Sequence, residues 1–223
     1  MTFEKKKESS PSQVCSRCGS SSGFLPGSGC REEVSKPKLL LHSCCGPCSS
    51  YVLEYLSEYF AITVYYYNPN IYPPEEYQKR VLEQERLIRE CTFRYPVKFL
   101  AGDYRPEEFY DAVKGLEDCP EGADRCFACY RLRLEQAAKA AAELGCDYFT
   151  TTLSISPHKN AKKLNEIGEE LAGIYRVPHL PSDFKKRNGY KRSVELSNLH
   201  GMYRQDYCGC VFSFQERMRR NGQ

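Results

Sequence analysis

Lys38-Leu-Leu-Leu-His-Ser-Cys-Cys-Gly-Pro-Cys48 is a short apolar run that ends in three closely spaced cysteines. The run has no helical periodicity, and turn residues follow it at once, which predicts a buried β-strand. Residues 49–59 carry apolar and aromatic side chains at helical spacing. A strand, a cysteine-bearing turn and a helix form the first unit of an α/β sheet, in which ligands bind beyond the carboxyl ends of the strands. The cysteines therefore occupy a predicted binding site.

The composition favours one globular α/β domain, with 223 residues of which 41% are hydrophobic. No apolar run reaches the roughly 18 residues that suggest a membrane span, and the first residues lack the apolar segment of a secretory signal. We therefore expect a cytoplasmic protein that is not bound to a membrane. In a reducing compartment, 13 cysteines favour metal or redox chemistry over disulfide bonds.

Residues 1–36 are rich in Ser, Gly, Lys and Glu and predict a mobile extension without a core. The spacing of Cys15 and Cys18 is that of a zinc ribbon, but with Cys30 the extension offers only three of the four ligands that such a site needs. An unstructured tail is the alternative. The catalytic domain is predicted over residues 37–218, followed by a short tail over residues 219–223.

The rest of the chain alternates between strand-like and helix-like segments. Strands are predicted at residues 38–42, 60–67, 97–101 and 147–153, and helices at 49–59, 75–91, 106–113, 130–144 and about 160–174. This alternation predicts an α/β three-layer sandwich with a mainly parallel sheet. Asp103 follows the third strand, on the same sheet edge as Cys44. Residues 187–202 are a further candidate helix, and residues 203–213 are interpreted as a compact cysteine turn.

Seven cysteines fall into three groups after predicted elements, namely Cys44, Cys45 and Cys48, then Cys126 and Cys129, then Cys208 and Cys210. Each group alone is a weak signal, since Cys-x-x-Cys also occurs in redox pairs and Cys-x-Cys suits many metals. Seven thiols at one sheet edge exceed the need of one four-cysteine zinc site. An iron–sulfur cluster with a second metal is therefore favoured over structural zinc or core cysteines. Cys91, Cys119 and Cys146 are interpreted as ordinary thiols.

The net charge of the chain is only +3, yet positive residues concentrate in its last forty residues. The densest basic run contains Lys185, Lys186, Arg187, Lys191 and Arg192, with Tyr190 inside it. Basic residues interleaved with aromatic ones are typical of a nucleic-acid surface. A solvated helix face is the alternative explanation.

Five ordered motifs resemble the epoxyqueuosine reductase QueH family. They are Cys44-Cys-Gly-Pro-Cys48, Tyr67-Asn-Pro-Asn-Ile71 followed by Glu76-Tyr-Gln-Lys-Arg80, Arg125-Cys-x-x-Cys-Tyr-x-x-Arg133-Leu, Phe149-Thr-Thr-Thr-Leu-x-x-Ser156-Pro-x-Lys159, and Tyr203-Arg-Gln-x-Tyr-Cys-Gly-Cys-x-Phe-Ser213. The resemblance covers about residues 36–218 and leaves out the cysteines of the extension.

The resemblance implies a nucleotide-hydrolase-like (HUP-type) fold and reduction of epoxyqueuosine at the tRNA wobble position to queuosine. It also implies a [4Fe–4S] cluster beside a mononuclear metal, iron or zinc, bound partly by an aspartate. Carried over by position, the expected cluster ligands are Cys45, Cys126, Cys129 and Cys208. The expected ligands of the second metal are Cys44, Cys48, Cys210 and Asp103.

Conversion of an epoxide to an alkene takes two electrons and two protons and releases water. A thiolate-bound cluster can supply the electrons, and an adjacent metal can stabilise the departing oxygen. Asp103, Tyr130, His158 and Asp206 are the candidate catalytic residues, with Lys159 as a further proton donor. His158 is equally well explained as a surface or capping histidine. The expected partners are the anticodon loop of tRNA and an electron donor such as ferredoxin or flavodoxin.

Two other functions fit parts of the sequence. A PP-loop-like tRNA thiolation enzyme would share the fold, but its glycine-rich phosphate loop would stand where this chain has the first cysteine group and only Gly46. A non-catalytic zinc or iron–sulfur binding module is the second alternative, and visible absorption of anaerobically purified protein would distinguish iron from zinc.

Overall fold

The computed structural model describes residues 36–222, so the predicted extension, except for its last residue, lies outside the described residues. Four strands form one parallel sheet in the order β3-β2-β1-β4, with β1 at Lys38–His42, β2 at Ala61–Tyr66, β3 at Lys98–Ala101 and β4 at Tyr148–Thr151. The helices are α1 (Gly46–Leu56), α2 (Pro74–Glu90), α3 (Pro106–Ala112), α4 (Asp124–Glu143), α5 (Ala161–Tyr175), α6 (Gly189–Leu199) and α7 (Val211–Arg220).

The central strand β1 is buried on both faces, which explains its continuous leucine run. Leu39 and Leu41 pack with residues of α1 and α2 on one face of the sheet. Leu40 packs with α4 and α5 on the other face. Successive side chains of a strand alternate between faces, so three adjacent leucines contribute to both cores. The predicted three-layer α/β sandwich is confirmed.

The order of the strands reverses at β1, because β2 and β3 lie on one side of it and β4 lies on the other. In parallel α/β sheets, such a switch point leaves a crevice at the carboxyl ends of the two strands, where ligands bind. The cysteine turn follows β1 at this point, and a short 3-10 helix, Thr152–Ile155, follows β4. The topology therefore places the segments that begin at Cys44 and Thr152 on either side of the crevice.

The main differences from the sequence expectations are two helix starts and one additional helix. Helix α1 begins at Gly46, since Pro47 suits the first turn of a helix, and therefore includes Cys48. Helix α4 begins at Asp124, so that Cys126 and Cys129 lie in its first turns. Residues 211–220 form α7, which the sequence did not predict and which continues past the expected domain boundary at residue 218. No helix in the described part of the chain is long and apolar enough to cross a membrane.

Candidate metal centre and substrate cavity

The turn after β1 brings three thiols together. The Sγ atoms of Cys44, Cys45 and Cys48 all lie within 4.8 Å of one another, so this group could hold a metal ion. Hydrogen bonding with Cys45 and Cys48 lowers the pKa of the Cys44 thiol well below its ordinary value, while burial is the main cause that raises the pKa of Cys45 to about 12. The hydrogen bonds with its two neighbours also raise the pKa of Cys48. The charged form is therefore favoured more at Cys44 than at its two neighbours.

Four other thiols surround a second, small cavity of about 10 Å³. Helix α4 contributes Cys126 and Cys129, and the segment before α7 contributes Cys208 and Cys210. At the start of α7, the Sγ of Cys210 also accepts a hydrogen bond from the backbone N–H of Ser213. By proximity and cavity lining, the seven thiols thus divide into three and four, although Cys208 also lines the large cavity described below. The sequence expectation divides them differently, with Cys45 in the four-cysteine set and Cys210 among the ligands of the second metal.

The small cavity is also lined by three residues whose buried polar atoms have no hydrogen-bond partner among the described residues. These atoms are the Oδ1 of Asn70, the hydroxyl of Tyr130 and the Nη2 of Arg133. Buried polar atoms nearly always have a partner, and three unsatisfied ones around four cysteines indicate a missing polar or charged group. The residues present therefore fit a thiolate-bound inorganic centre at this cavity.

Lys159 lies at the same site, a few residues after the 3-10 helix that follows β4. Its Nζ donates a hydrogen bond to the Sγ of Cys208 at 2.7 Å and lies 6.0 Å from the centre of the Tyr130 ring. Burial is the largest influence and opposes the charge on Lys159, but Cys208 and Tyr130 together outweigh it and raise the pKa of the ammonium group. Burial raises the pKa of Tyr130 to about 12. Both side chains therefore keep their protons at neutral pH.

A larger cavity of about 590 Å³ adjoins the thiols. Its walls include Cys44 and Cys48 from the first cysteine group and Cys208 from the second. Arg133, Lys159 and Cys208 line both the large and the small cavity. These three residues form what we call the common wall. A molecule in the large cavity would therefore lie beside the four-cysteine group and next to its member Cys208.

Three of the four predicted catalytic residues line one of the two cavities, and Asp103 does not. His158 and Asp206 line the large cavity, although Asp206 is also held by Arg217 at 2.9 Å. Tyr130 lines the small one. Asp103, in contrast, lines neither of these cavities, is 73% exposed and pairs with Arg105 at 2.8 Å. Asp103 follows the edge strand β3, and β2 separates that strand from β1, so ending on the same edge does not bring Asp103 to the cysteines.

The predicted basic run has many of its charges paired within the protein. Lys185 and Lys186 both pair with Asp183, and Arg192 pairs with Glu54 at 2.6 Å and with Glu195. Arg187 and Lys191 form no ion pair with any of the described residues. Tyr190, inside the run, is 40% exposed and lines the large cavity. The run therefore reaches the cavity, but only part of its charge is available to a partner.

Sequence analysis did not select several cavity residues. Arg204, Gln205, Arg220 and Glu121 all line the large cavity. Arg204 and Gln205 belong to the last of the five motifs but received no role, and nothing in the local sequence distinguishes Glu121 and Arg220 from surface residues. Arg133 belongs to the third motif and could have been given a role, because it stands four residues after Cys129 on α4 and a spacing of four places two side chains on one helix face. Cys91, Cys119 and Cys146 line neither the large nor the small cavity.

Comparison with known proteins identifies the family of the chain. Residues 39–216 match the family described as epoxyqueuosine reductase QueH. A relative from Streptococcus pyogenes with that name is 47% identical over 184 residues, which cover 82% of this chain and 72% of the relative. Another from Thermotoga maritima is 36% identical over 191 residues, which cover 83% of this chain and 94% of the relative. The chain therefore belongs to the epoxyqueuosine reductase QueH family.

Proposed function

We propose that this chain is an epoxyqueuosine reductase, an oxidoreductase that converts epoxyqueuosine at the tRNA wobble position to queuosine. Family membership supports the reaction, and the common wall carries the proposal structurally. A cavity of about 590 Å³ is of the size that encloses small-molecule groups, and it adjoins four thiols through Arg133, Lys159 and Cys208. A substrate in the large cavity would thus lie next to a redox centre at the small cavity.

The reaction breaks both C–O bonds of the epoxide, forms a C=C bond, consumes two electrons and two protons, and releases one water. A bound [4Fe–4S] cluster would supply the electrons, delivered by an external donor such as ferredoxin or flavodoxin. We assign its ligands to Cys126, Cys129, Cys208 and Cys210, because these thiols surround one cavity. Cys44, Cys45 and Cys48 would hold a mononuclear metal, iron or zinc.

The protein's own residues would supply protons and position the substrate. Lys159 retains its proton beside Cys208 and lines the large cavity, so it is the proposed proton donor to the departing oxygen. Tyr130 keeps its phenolic proton at the small cavity. His158 and Asp206 line the large cavity, where they would contact the modified base.

The substrate is proposed to be the anticodon loop of a tRNA in the cytoplasm. A wobble base belongs to a single-stranded loop, which proteins recognise by aromatic stacking and by cations next to phosphates. Tyr190 and Arg204 line the cavity, and Arg187 and Lys191 stand close to Tyr190 in the chain. These residues are the proposed contacts of the loop.

The function can be tested by converting epoxyqueuosine in tRNA with anaerobically reconstituted protein and a chemical reductant, and by analysing the nucleosides by mass spectrometry. We expect queuosine in the product. Protein that carries its full iron and sulfide but leaves epoxyqueuosine unchanged would refute the proposal. That result would favour the non-catalytic metal-binding alternative.

The assignment of ligands can be tested with serine variants. C129S and C210S should lose acid-labile sulfide and visible absorption, whereas C44S and C48S should keep the sulfide and lose only the single metal. C146S is the matched control, because Cys146 lines neither of the two cavities. Loss of sulfide in C45S together with its retention in C210S would instead support the division expected from the sequence.

A further inference from the structure

Arg133 is a buried cation without a carboxylate partner among the described residues. It is only 2% exposed, and its guanidinium makes two long hydrogen bonds. The Nε donates to the backbone oxygen of Cys129 at 3.3 Å, and the Nη1 donates to the Oδ1 of Asn68 at 3.4 Å. The Nη2 has no partner among the same residues. Burial of a charged group is costly unless the charge is compensated, so something other than a carboxylate must balance Arg133.

The groups that favour this charge are mainly thiols of the two cysteine groups. Burial works against the charge of Arg133, but Cys129, Cys208 and Cys44 together offset it, and the pKa of the guanidinium is raised. Two of these thiols belong to the four-cysteine group, and Cys44 belongs to the three-cysteine group. Arg133 thus interacts electrostatically with both groups, and it lines both the large and the small cavity.

We propose that Arg133 is a positioning residue that donates its free Nη2 to the anionic centre held by Cys126, Cys129, Cys208 and Cys210 and raises the reduction potential of that centre. The inference rests on the proposed function, in which these four cysteines hold a redox group. A reduced centre carries one more negative charge than an oxidised one. A fixed cation beside it therefore favours the reduced form.

A lysine could not fully replace this arginine. The guanidinium has five N–H donors in a rigid fork, so it can contact Cys129, Asn68 and a third group at once. The ammonium group of a lysine is a point charge on a flexible stem. It would keep the positive charge but would not donate hydrogen bonds to all three groups at once. The two substitutions R133Q and R133K therefore separate the effect of the charge from that of the donor geometry.

The chain offers a matched control in Arg80. It is also 2% exposed and also has an Nη2 without a partner among the described residues. Like Arg133, it donates to the backbone oxygen of a proposed ligand, from its Nη1 to Cys208 at 3.2 Å. However, its Nε pairs with Glu76 at 2.6 Å, and Arg80 lines neither the large nor the small cavity. Because a carboxylate balances its charge locally, R80K should change the potential much less than R133K does.

The experiment is a spectroelectrochemical titration of the reconstituted holoenzyme, with iron and sulfide measured on each sample. We expect R133Q to keep its iron and sulfide and to lower the equilibrium constant for one-electron reduction at least tenfold, a shift of about 59 mV to more negative potential. R133K should shift the potential in the same direction by a smaller amount.

An R133Q holoenzyme with unchanged potential would overturn the inference. If R133Q does not load, R133K decides the question, because a fully loaded R133K with wild-type potential would rule out the donor role. A shift in R80K as large as that in R133K would equally refute a specific role. Wild-type protein without sulfide would instead refute the proposed function itself, so the two failures can be distinguished.

Discussion

The ion pairs of the basic run predict which of its cations bind tRNA phosphates. Arg187 and Lys191 lack ion pairs among the described residues, whereas Lys185 pairs with Asp183 at 2.9 Å and Arg192 with Glu54 at 2.6 Å. A cation already held by a carboxylate would have to leave it before binding a phosphate. The double variant R187Q/K191Q should therefore weaken tRNA binding because it neutralises fewer phosphates, and K185Q/R192Q should do so much less.

The size of the effect follows from the release of counterions. Each phosphate of a single strand that the protein no longer neutralises reduces the slope of log affinity against log salt by about 0.7. If both unpaired cations bind phosphates, R187Q/K191Q reduces the slope by about 1.4. The measurement is tRNA affinity by filter binding between low and moderate salt, with iron and sulfide analysed in parallel, since neither variant changes a thiol.

The two double variants remove equal charge from the same run, so each controls for the other. Equal changes in the salt slope of the two variants would show that ion pairing within the protein does not decide which cations bind tRNA phosphates. An unchanged slope for R187Q/K191Q would refute phosphate binding by these two residues altogether. The anticodon loop would then bind through other cations, such as Arg204 and Arg220 in the wall of the large cavity.

Three further predictions concern single side chains. Burial lowers the pKa of His179 to about 4 from 6.5, so the unfolded chain takes up this proton first as the pH falls. In urea denaturation at pH 7.5 and pH 5, the stability lost by the wild-type protein should exceed that lost by H179Q by about 2 kcal/mol. K159M should slow single-turnover reduction at least ~100-fold with little change in tRNA affinity, whereas an unchanged rate would remove Lys159 as proton donor. D103N should leave the metal content unchanged, and loss of one metal per chain would restore Asp103 as a ligand.

The strands of the sheet could be predicted because runs of apolar, β-branched and aromatic residues identify them in the sequence. The leucine run of β1 is apolar on both faces, and the β-branched and aromatic run of β2 is equally distinct. The predicted strands at residues 38–42 and 97–101 agree with β1 and β3 to within one residue. Helix α7 was missed because six of its ten residues are polar or charged and a cysteine turn precedes it.

The grouping of the thiols could not be predicted, because it depends on which helix turn carries each cysteine. Once α4 begins at Asp124, Cys126 and Cys129 lie in its first turns. The segment that carries Cys208 and Cys210 is then placed by interactions that no local pattern encodes, such as the hydrogen bond from the Nη1 of Arg80 to the backbone oxygen of Cys208. These two positions are 128 residues apart in the sequence.

Asp103 and Arg133 show why a shared sheet edge is a weaker guide to the residues of a site than spacing along a helix. Residues that end neighbouring parallel strands are separated by about 4.8 Å for each strand, so two strands of separation keep the Asp103 carboxylate from the thiols unless its loop bends towards them. Residues four apart on a helix, in contrast, lie on one face within about 6 Å whatever the rest of the fold does. The Arg133 guanidinium therefore reaches the oxygen of Cys129 on its own helix, and the same helix carries both Cys126 and Cys129 to the cavity. For a site built at strand ends and helix starts, charged residues one turn from a predicted cysteine ligand are thus better candidates than acidic residues on a distant strand.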